Sequence, residues 1–503
     1  MKNKLVNKAF VLVAIAMATS TLAAEDLVLS GDYPVTVSAG TSTTISDKVT
    51  GDGRIVLLGG GTLILDNSAN DFTGGVIVSN GILRADASGA FGTGPISLEG
   101  FEQIRTVKFN AKKGVFPNDI TLKDATSSET YPVLHAMQPA VISGNVAIDE
   151  TLAEKGTGSS LYFVIEKFTE NNYTAMLELQ GECNAGKGSV FLAGGSDYGP
   201  YQANWQFKGK ITAAKLDAGT TLNRKSDVYL YNSENEIKEI RLVSFNIHCA
   251  GENVLRDCSF WFFYNWAWGA NRGQGKLYLN GNDQSVRYFG SKYAVGASKI
   301  SVADNSSTAA SDYYSDNRPA TITFTGLPNA NSYSAAYVRL MGNLSVVVDA
   351  FADAGETYQR FYYFENPMAG DLTVKSGTLE LREGAAFPNV KNVNVFGGQF
   401  YMQTVTNALP QLAKVALSGG KIRCDANCKA PISGGLADVY LSGDGKFQFG
   451  NGITNTVRKL FVNGEYMPAG IYTKSNFPAM ESSHESAALV VLRGRAGAFL
   501  VVR

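Results

Sequence analysis

Seven aromatic side chains crowd into nine residues, Phe260 to Trp268, of this 503-residue chain. On an extended strand, Phe260, Phe262, Tyr264, Trp266 and Trp268 share one face, and Trp261 and Phe263 lie on the other. The first set is expected to fill an interior as an aromatic stack. Trp261 and Phe263 then form an outward platform for a sugar ring or a partner protein. A covering loop tied down by Cys249 and Cys258 is the alternative. A second constellation is Asp312, Asp316 and Arg318, within Asp-Tyr-Tyr-Ser-Asp-Asn-Arg. Glycoside hydrolysis needs two carboxylates at a fixed separation. Abstraction of a proton from a sugar acid needs a base and a neutralising cation or metal. The segment follows Ser306-Ser-Thr-Ala-Ala-Ser, so a solvated, turn-rich loop competes with either chemistry.

The other reactive side chains are sparse. Five cysteines in an exported chain invite disulfides, with Cys249–Cys258 and Cys424–Cys428 as the close pairs and Cys183 left over. The competing state is five buried thiols packed as small apolar groups. With three histidines in the chain, and only His248 beside a cysteine, zinc is a poor fit. His135, His248 and His484 are isolated. The sequence contains no nucleophile elbow, phosphate loop, paired-histidine zinc motif or calcium nonapeptide. The expected catalytic, metal and cofactor sets are therefore empty.

The elements that must position these groups come from one recurring phrase: glycine, any residue, apolar, any residue, apolar. It starts at Gly31, Gly53, Gly61, Gly74 and Gly94, and again at Gly377, Gly398, Gly420 and Gly445. The last four are 21, 22 and 25 residues apart. Alternation within each phrase marks a strand with one buried face. Hairpins turn every 8 to 12 residues or so, whereas this period is that of a solenoid coil. Shorter strands at Val390 to Val395 and Ala413 to Leu417 suit two or three strands per coil. Near twenty coils, a rod of order 100 Å, follow from about 22 residues per coil. A β-sandwich array is the competing architecture. The outward positions Thr62, Lys276, Thr378, Gln399, Lys421 and Lys446 change in character from coil to coil, which assigns repetition to the scaffold.

Lys2, Lys4 and Lys8 precede the apolar run Ala9 to Ala18, and small residues follow to Ala24. This order predicts a signal peptide over 1–24, too short for a membrane span. A β-helix is expected over 25–460 and C-terminal strands or a cap over 461–503. Lys plus Arg is 44 against 45 Asp plus Glu, a balance that favours neither nucleic acid nor anionic lipid.

From Gly59 to Leu98 the sequence resembles the passenger-associated repeat of bacterial autotransporters. The marks are Gly61, Leu63, Leu65, Asn70, Phe72, Gly74, Val78, Gly81 and Leu83. Gly273 to Val286 resembles a degraded second copy, and Pro319 to Gly326 part of a third. The resemblance implies an all-β fold, a right-handed single-stranded parallel β-helix (solenoid), on an exported surface or secreted protein. It transfers no catalytic residues. Autotransporters also carry a translocating β-barrel of many amphipathic strands. No stretch here reads as one, so the expectation is another route across an outer membrane or a periplasmic location. The functional expectation is a non-enzymatic structural or adhesion protein whose partner is an extracellular glycan or a surface protein. A polysaccharide lyase, glycoside hydrolase or glycan-binding protein on the same scaffold is the alternative.

Overall fold

The computed structural model of the chain describes residues 25–493 except 101–102, 104, 124–132, 150–159, 166–174, 195–202, 220–225, 243–244, 264–274, 293–300, 307–317, 327–334, 337, 351–357, 430 and 433–434. The expected signal peptide at 1–24 lies outside the described residues. Within each of the chain's two units the strands stack as a right-handed single-stranded parallel β-helix, with about 14 turns in all. The turn number is lower than 22 residues per coil predicts because some coils are long. Hydrogen bonds link equivalent positions 21 residues apart at Asn70 and Val49, but 37 apart at Glu182 and Asn145 and 38 apart at Thr321 and Asp283. The chain divides into two compact units, Met1–Asn232 and Ser233–Arg503.

In the first unit, one parallel ladder runs through Arg54–Leu58, Val76–Val78, Ile96–Leu98, Ile120–Leu122, Val146–Ile148 and Cys183–Asn184. A second runs through Thr62–Leu65, Gly81–Ala85, Arg105–Phe109, Val133–Ala136, Ser160–Ile165 and Ser189–Gly194. Pairing in register places like side chains above one another. Leu63, Leu83, Val107, Leu134, Phe163 and Leu192 make one buried column. Ile55, Val76, Ile96, Ile120, Val146 and Cys183 make another. Each column removes apolar surface from water at roughly 25 cal/mol per Å². Cys183 fills an aliphatic position there, and burial pushes its thiol up to about 12.

The corners between ladders must turn without losing polar groups. Asn70 does this inside the core: its Oδ1 accepts the Val49 N–H at 2.8 Å, and its Nδ2 donates to the Ala90 carbonyl at 2.7 Å. One amide thus satisfies backbone groups of the coils on either side. The phrase glycines answer a different need. A Cβ on Gly74 would lie 2.3 Å from the Gly53 carbonyl oxygen, so successive corners touch backbone to backbone. Gly420 combines that close approach with a left-handed φ of 63°.

In the second unit, the phrases at Gly377, Gly398, Gly420 and Gly445 open the strands Thr378–Arg382, Gln399–Gln403, Lys421–Cys424 and Lys446–Phe449. These pair in order, with Tyr358–Tyr362 preceding them. The companion strands Asn392–Val395 and Lys414–Leu417 pair with each other as the period requires. Leu379, Phe400, Ile422 and Phe447 form the buried column. Near the end of the unit the pairing turns antiparallel: Lys459–Val462 takes Glu465–Tyr466 on its free edge. That pairing hides an edge that would otherwise template another strand.

All five cysteines are buried thiols in the structure, including both sequence-close pairs. Cys249 and Cys258 each lose access to the thiolate, chiefly through burial. Cys424 and Cys428 do the same. Cys428 also donates its S–H to the Met402 carbonyl at 3.2 Å.

Three outcomes follow. Asn70→Ala strands two buried backbone groups and should lower the unfolding free energy by about 2 kcal/mol or more in a urea titration. A change under about 0.5 kcal/mol, the level of a surface substitution, would contradict the bridging role. The thiols should resist Ellman's reagent at pH 8 in the folded protein and all react in denaturant without reductant. A deficit there would reveal a disulfide. The folded state holds the Cys183 proton to about 12 while the unfolded chain releases it near 9.0. Stability should therefore fall as pH rises from 9 toward 12.

Candidate interaction face

In each phrase the residue between the two apolar positions points outward. In the second unit, register then builds two outward columns across five successive strands. One is Tyr358, Thr378, Gln399, Lys421 and Lys446, of which Thr378 is buried. The other is Arg360, Glu380, Tyr401, Arg423 and Gln448. Arg382 and Gln403 stand beside the second column in register with each other.

Glu380 is the hub. Its side chain is 2% exposed and pairs with Arg360, and with Arg382 at 3.2 Å. Arg382 also donates to Tyr362 Oη at 2.9 Å and to Gln403. A carboxylate this buried is stable only when paired, and two guanidinium forks supply the pairing. The arginines in turn lie against tyrosine rings: Arg360 is 4.9 Å from the Tyr358 centroid and Arg423 is 4.4 Å from that of Tyr401. Tyr401 donates to Asp425 at 2.8 Å. Burial and that carboxylate keep its phenol protonated well above the ordinary range. Lys421 and Lys446 have no ion-pair partner among the described residues. The face therefore carries Arg360, Arg382, Lys421, Arg423 and Lys446 against Glu380 and Asp425, a surplus of positive charge interleaved with aromatic rings.

Several other outward aromatics stack on one another, while Tyr363 and Phe396 are exposed. Tyr440 and Phe461 stack at 4.7 Å, and Phe461 and Tyr466 at 5.1 Å. Tyr162 and Phe191 stack at 4.7 Å in the first unit, with Lys215 5.0 Å from the Phe191 ring. Stacking covers a face of each ring, and Tyr440 stays 40% exposed.

The residues singled out from sequence are dispersed. Trp261 is half-buried and outward, in register with Arg241 and Gly290. Its ring lies on Gly290, where a Cβ would come within 2.6 Å, and meets Tyr288 edge-on at 5.3 Å. Phe260 and Phe262 are buried and pack with Phe289. Tyr264, Trp266, Trp268, Asp312 and Asp316 lie outside the described residues, as does the side chain of Phe263. Arg318 is exposed, with its Cβ packed over Gly281. No group of three or more His, Cys, Asp or Glu among the described residues is placed to hold a metal ion.

Replacing Glu380 by Gln leaves Arg360 and Arg382 side by side without their carboxylate. Unfolding in urea should become easier by about 2 to 3 kcal/mol, the scale of a charged hydrogen-bonded group left unpaired. Replacing Glu380, Arg360 and Arg382 together by Leu, Met and Met should recover most of that loss. An unchanged midpoint for Glu380→Gln would remove the hub role.

The columns, corners and asparagine bridge described above coincide with a recognised repeat. Residues 55–85 match the passenger-associated-transport-repeat family. The chain is also 50% identical over 60 residues to the adhesin BmaC autotransporter of Brucella suis biovar 1 (strain 1330). That likeness covers 12% of this chain and 2% of the adhesin. No solved structure matches the chain. Leu63, Leu65, Phe72, Val78 and Leu83, which mark the repeat, are all fully buried, and Asn70 is the bridging amide. Residues 55–85 are thus a passenger-associated-transport-repeat built into a parallel β-helix.

Proposed function

We propose that this chain is an exported, non-enzymatic β-helical protein that acts in adhesion at the cell surface, with the outward face over Tyr358 to Gln448 as its contact surface. The repeat over 55–85 and the partial likeness to an adhesin autotransporter support this reading. No helix among the described residues is long and apolar enough to cross a membrane. The single observation that carries the contact surface is the surplus of cations aligned by the strand register over Tyr358 to Gln448. A scaffold without ligands has no need to align five outward cations on one sheet. Trp261, with the neighbouring strand position Phe263, remains a second proposed contact, because an outward tryptophan seated on a glycine is a rigid aromatic surface. Asp312, Asp316 and Arg318 are the residues through which a carbohydrate-active enzyme would act.

Beads coated with the chain lacking residues 1–24 should attach to cultured epithelial cells or to extracellular matrix in excess of beads coated with albumin. Equal attachment on every surface tried would sink the adhesion reading. Release of sugar fragments from polysaccharide, abolished by Asp312→Ala or Asp316→Ala, would replace it with the enzymatic one.

A further inference from the structure

The two outward columns of the second unit run across the strands. Successive side chains within a column are therefore separated by the strand spacing, roughly 4.8 Å. That repeat is close to the length of one hexose unit in an extended polysaccharide. The charges are also graded. Glu380 neutralises part of Arg360 and Arg382, and Asp425 sits 3.8 Å from Arg423. Lys421 and Lys446 follow as adjacent members of one column with no ion-pair partner among the described residues. Arg423, 38% exposed, presents its planar fork in the strand between Tyr401 and Gln448. Guanidinium forks match carboxylates in two-point geometry, and lysines add point charge. The Tyr358 and Tyr401 rings lie against Arg360 and Arg423 and steady those guanidinium groups.

Resting on the adhesion reading above, we propose that this face binds a linear uronic-acid polysaccharide laid along the stacking axis, across the strands from Tyr358–Tyr362 to Lys446–Phe449. Its carboxylates meet Lys421, Arg423 and Lys446. Tyr358 and Tyr401 back the guanidinium groups of Arg360 and Arg423, and Glu380 is a positioning residue that holds Arg360 and Arg382. Five strands span about 19 Å at the strand spacing, so the face takes several sugar units at once. Charge complementarity selects this occupant: a neutral glycan would leave the lysines unanswered, and a compact acidic protein surface would not repeat at the coil spacing.

The test uses the chain lacking residues 1–24 and an immobilised alginate, with neutral dextran and dextran sulfate as the other arms. Binding to alginate is expected to exceed that to dextran and to weaken as sodium chloride rises through the range where exposed charges are screened. It should also fall when the alginate is cut to disaccharides. Lys421→Gln with Lys446→Gln should weaken alginate binding about fivefold to tenfold while leaving the urea midpoint unchanged. Lys48→Gln, whose side chain pairs with Asp71 in the first unit, should have no effect on binding. The proposal is overturned by equal retention on dextran, by retention on dextran sulfate without retention on alginate, or by full binding in the double variant. The same variants in the bead assay separate the two readings. Attachment without alginate binding removes the polysaccharide and leaves adhesion standing. Alginate binding without attachment removes adhesion as the purpose of the face.

Discussion

In-register parallel stacking is the constraint from which the rest of this protein follows. A strand in a parallel coil has no local partner, and its N–H and C=O groups are answered only by equivalent strands above and below. Register cannot slip by one residue without moving an entire apolar column from the interior to solvent. Leu63, Leu83, Val107 and Leu134 stay aligned for that reason. So do Leu379, Phe400, Ile422 and Phe447 in the second unit.

That constraint sets the chemistry of the corners. Where coils bend, backbone comes within contact distance of backbone, and only glycine leaves room, as Gly74 does against Gly53. Where a corner buries polar groups that no strand can pair, an interior amide takes over, as Asn70 does between Val49 and Ala90. The cysteines belong to the same logic. Cys183 occupies a column otherwise filled by Ile and Val, and its environment suppresses the thiolate that metal binding or nucleophilic catalysis would need.

Register also gives the outer surface an order that a globular protein lacks. Residues separated by a whole coil in sequence become neighbours one strand spacing apart. Glu380 meets arginines from its own strand and the one before it, and a linear row of charge appears without any local cluster in the chain. Long segments that extend a coil, such as the one between Asn145 and Glu182, leave the columns intact, because only the strands need to match.

The phrase and its 21, 22 and 25 residue intervals made the strands, their inward faces, the parallel pairing and the passenger-type repeat legible from sequence, since hydrophobic period is a local property. Coil number was less legible, because long coils leave no periodic mark. The contact face was not legible at all. Lys421 and Lys446 were visible only as outward positions of changing character, and Glu380, Tyr401 and Arg423 carry no motif at their spacing. Writing the four phrases one beneath another would have placed Glu380, Tyr401, Arg423 and Gln448 in one column. That Glu380 lies almost fully buried between two arginines, however, depends on how neighbouring coils pack. The sequence by itself determined the repeating strand and its buried side. Only the tertiary structure decided which outward side chains share a surface, because that depends on register between coils twenty or more residues apart.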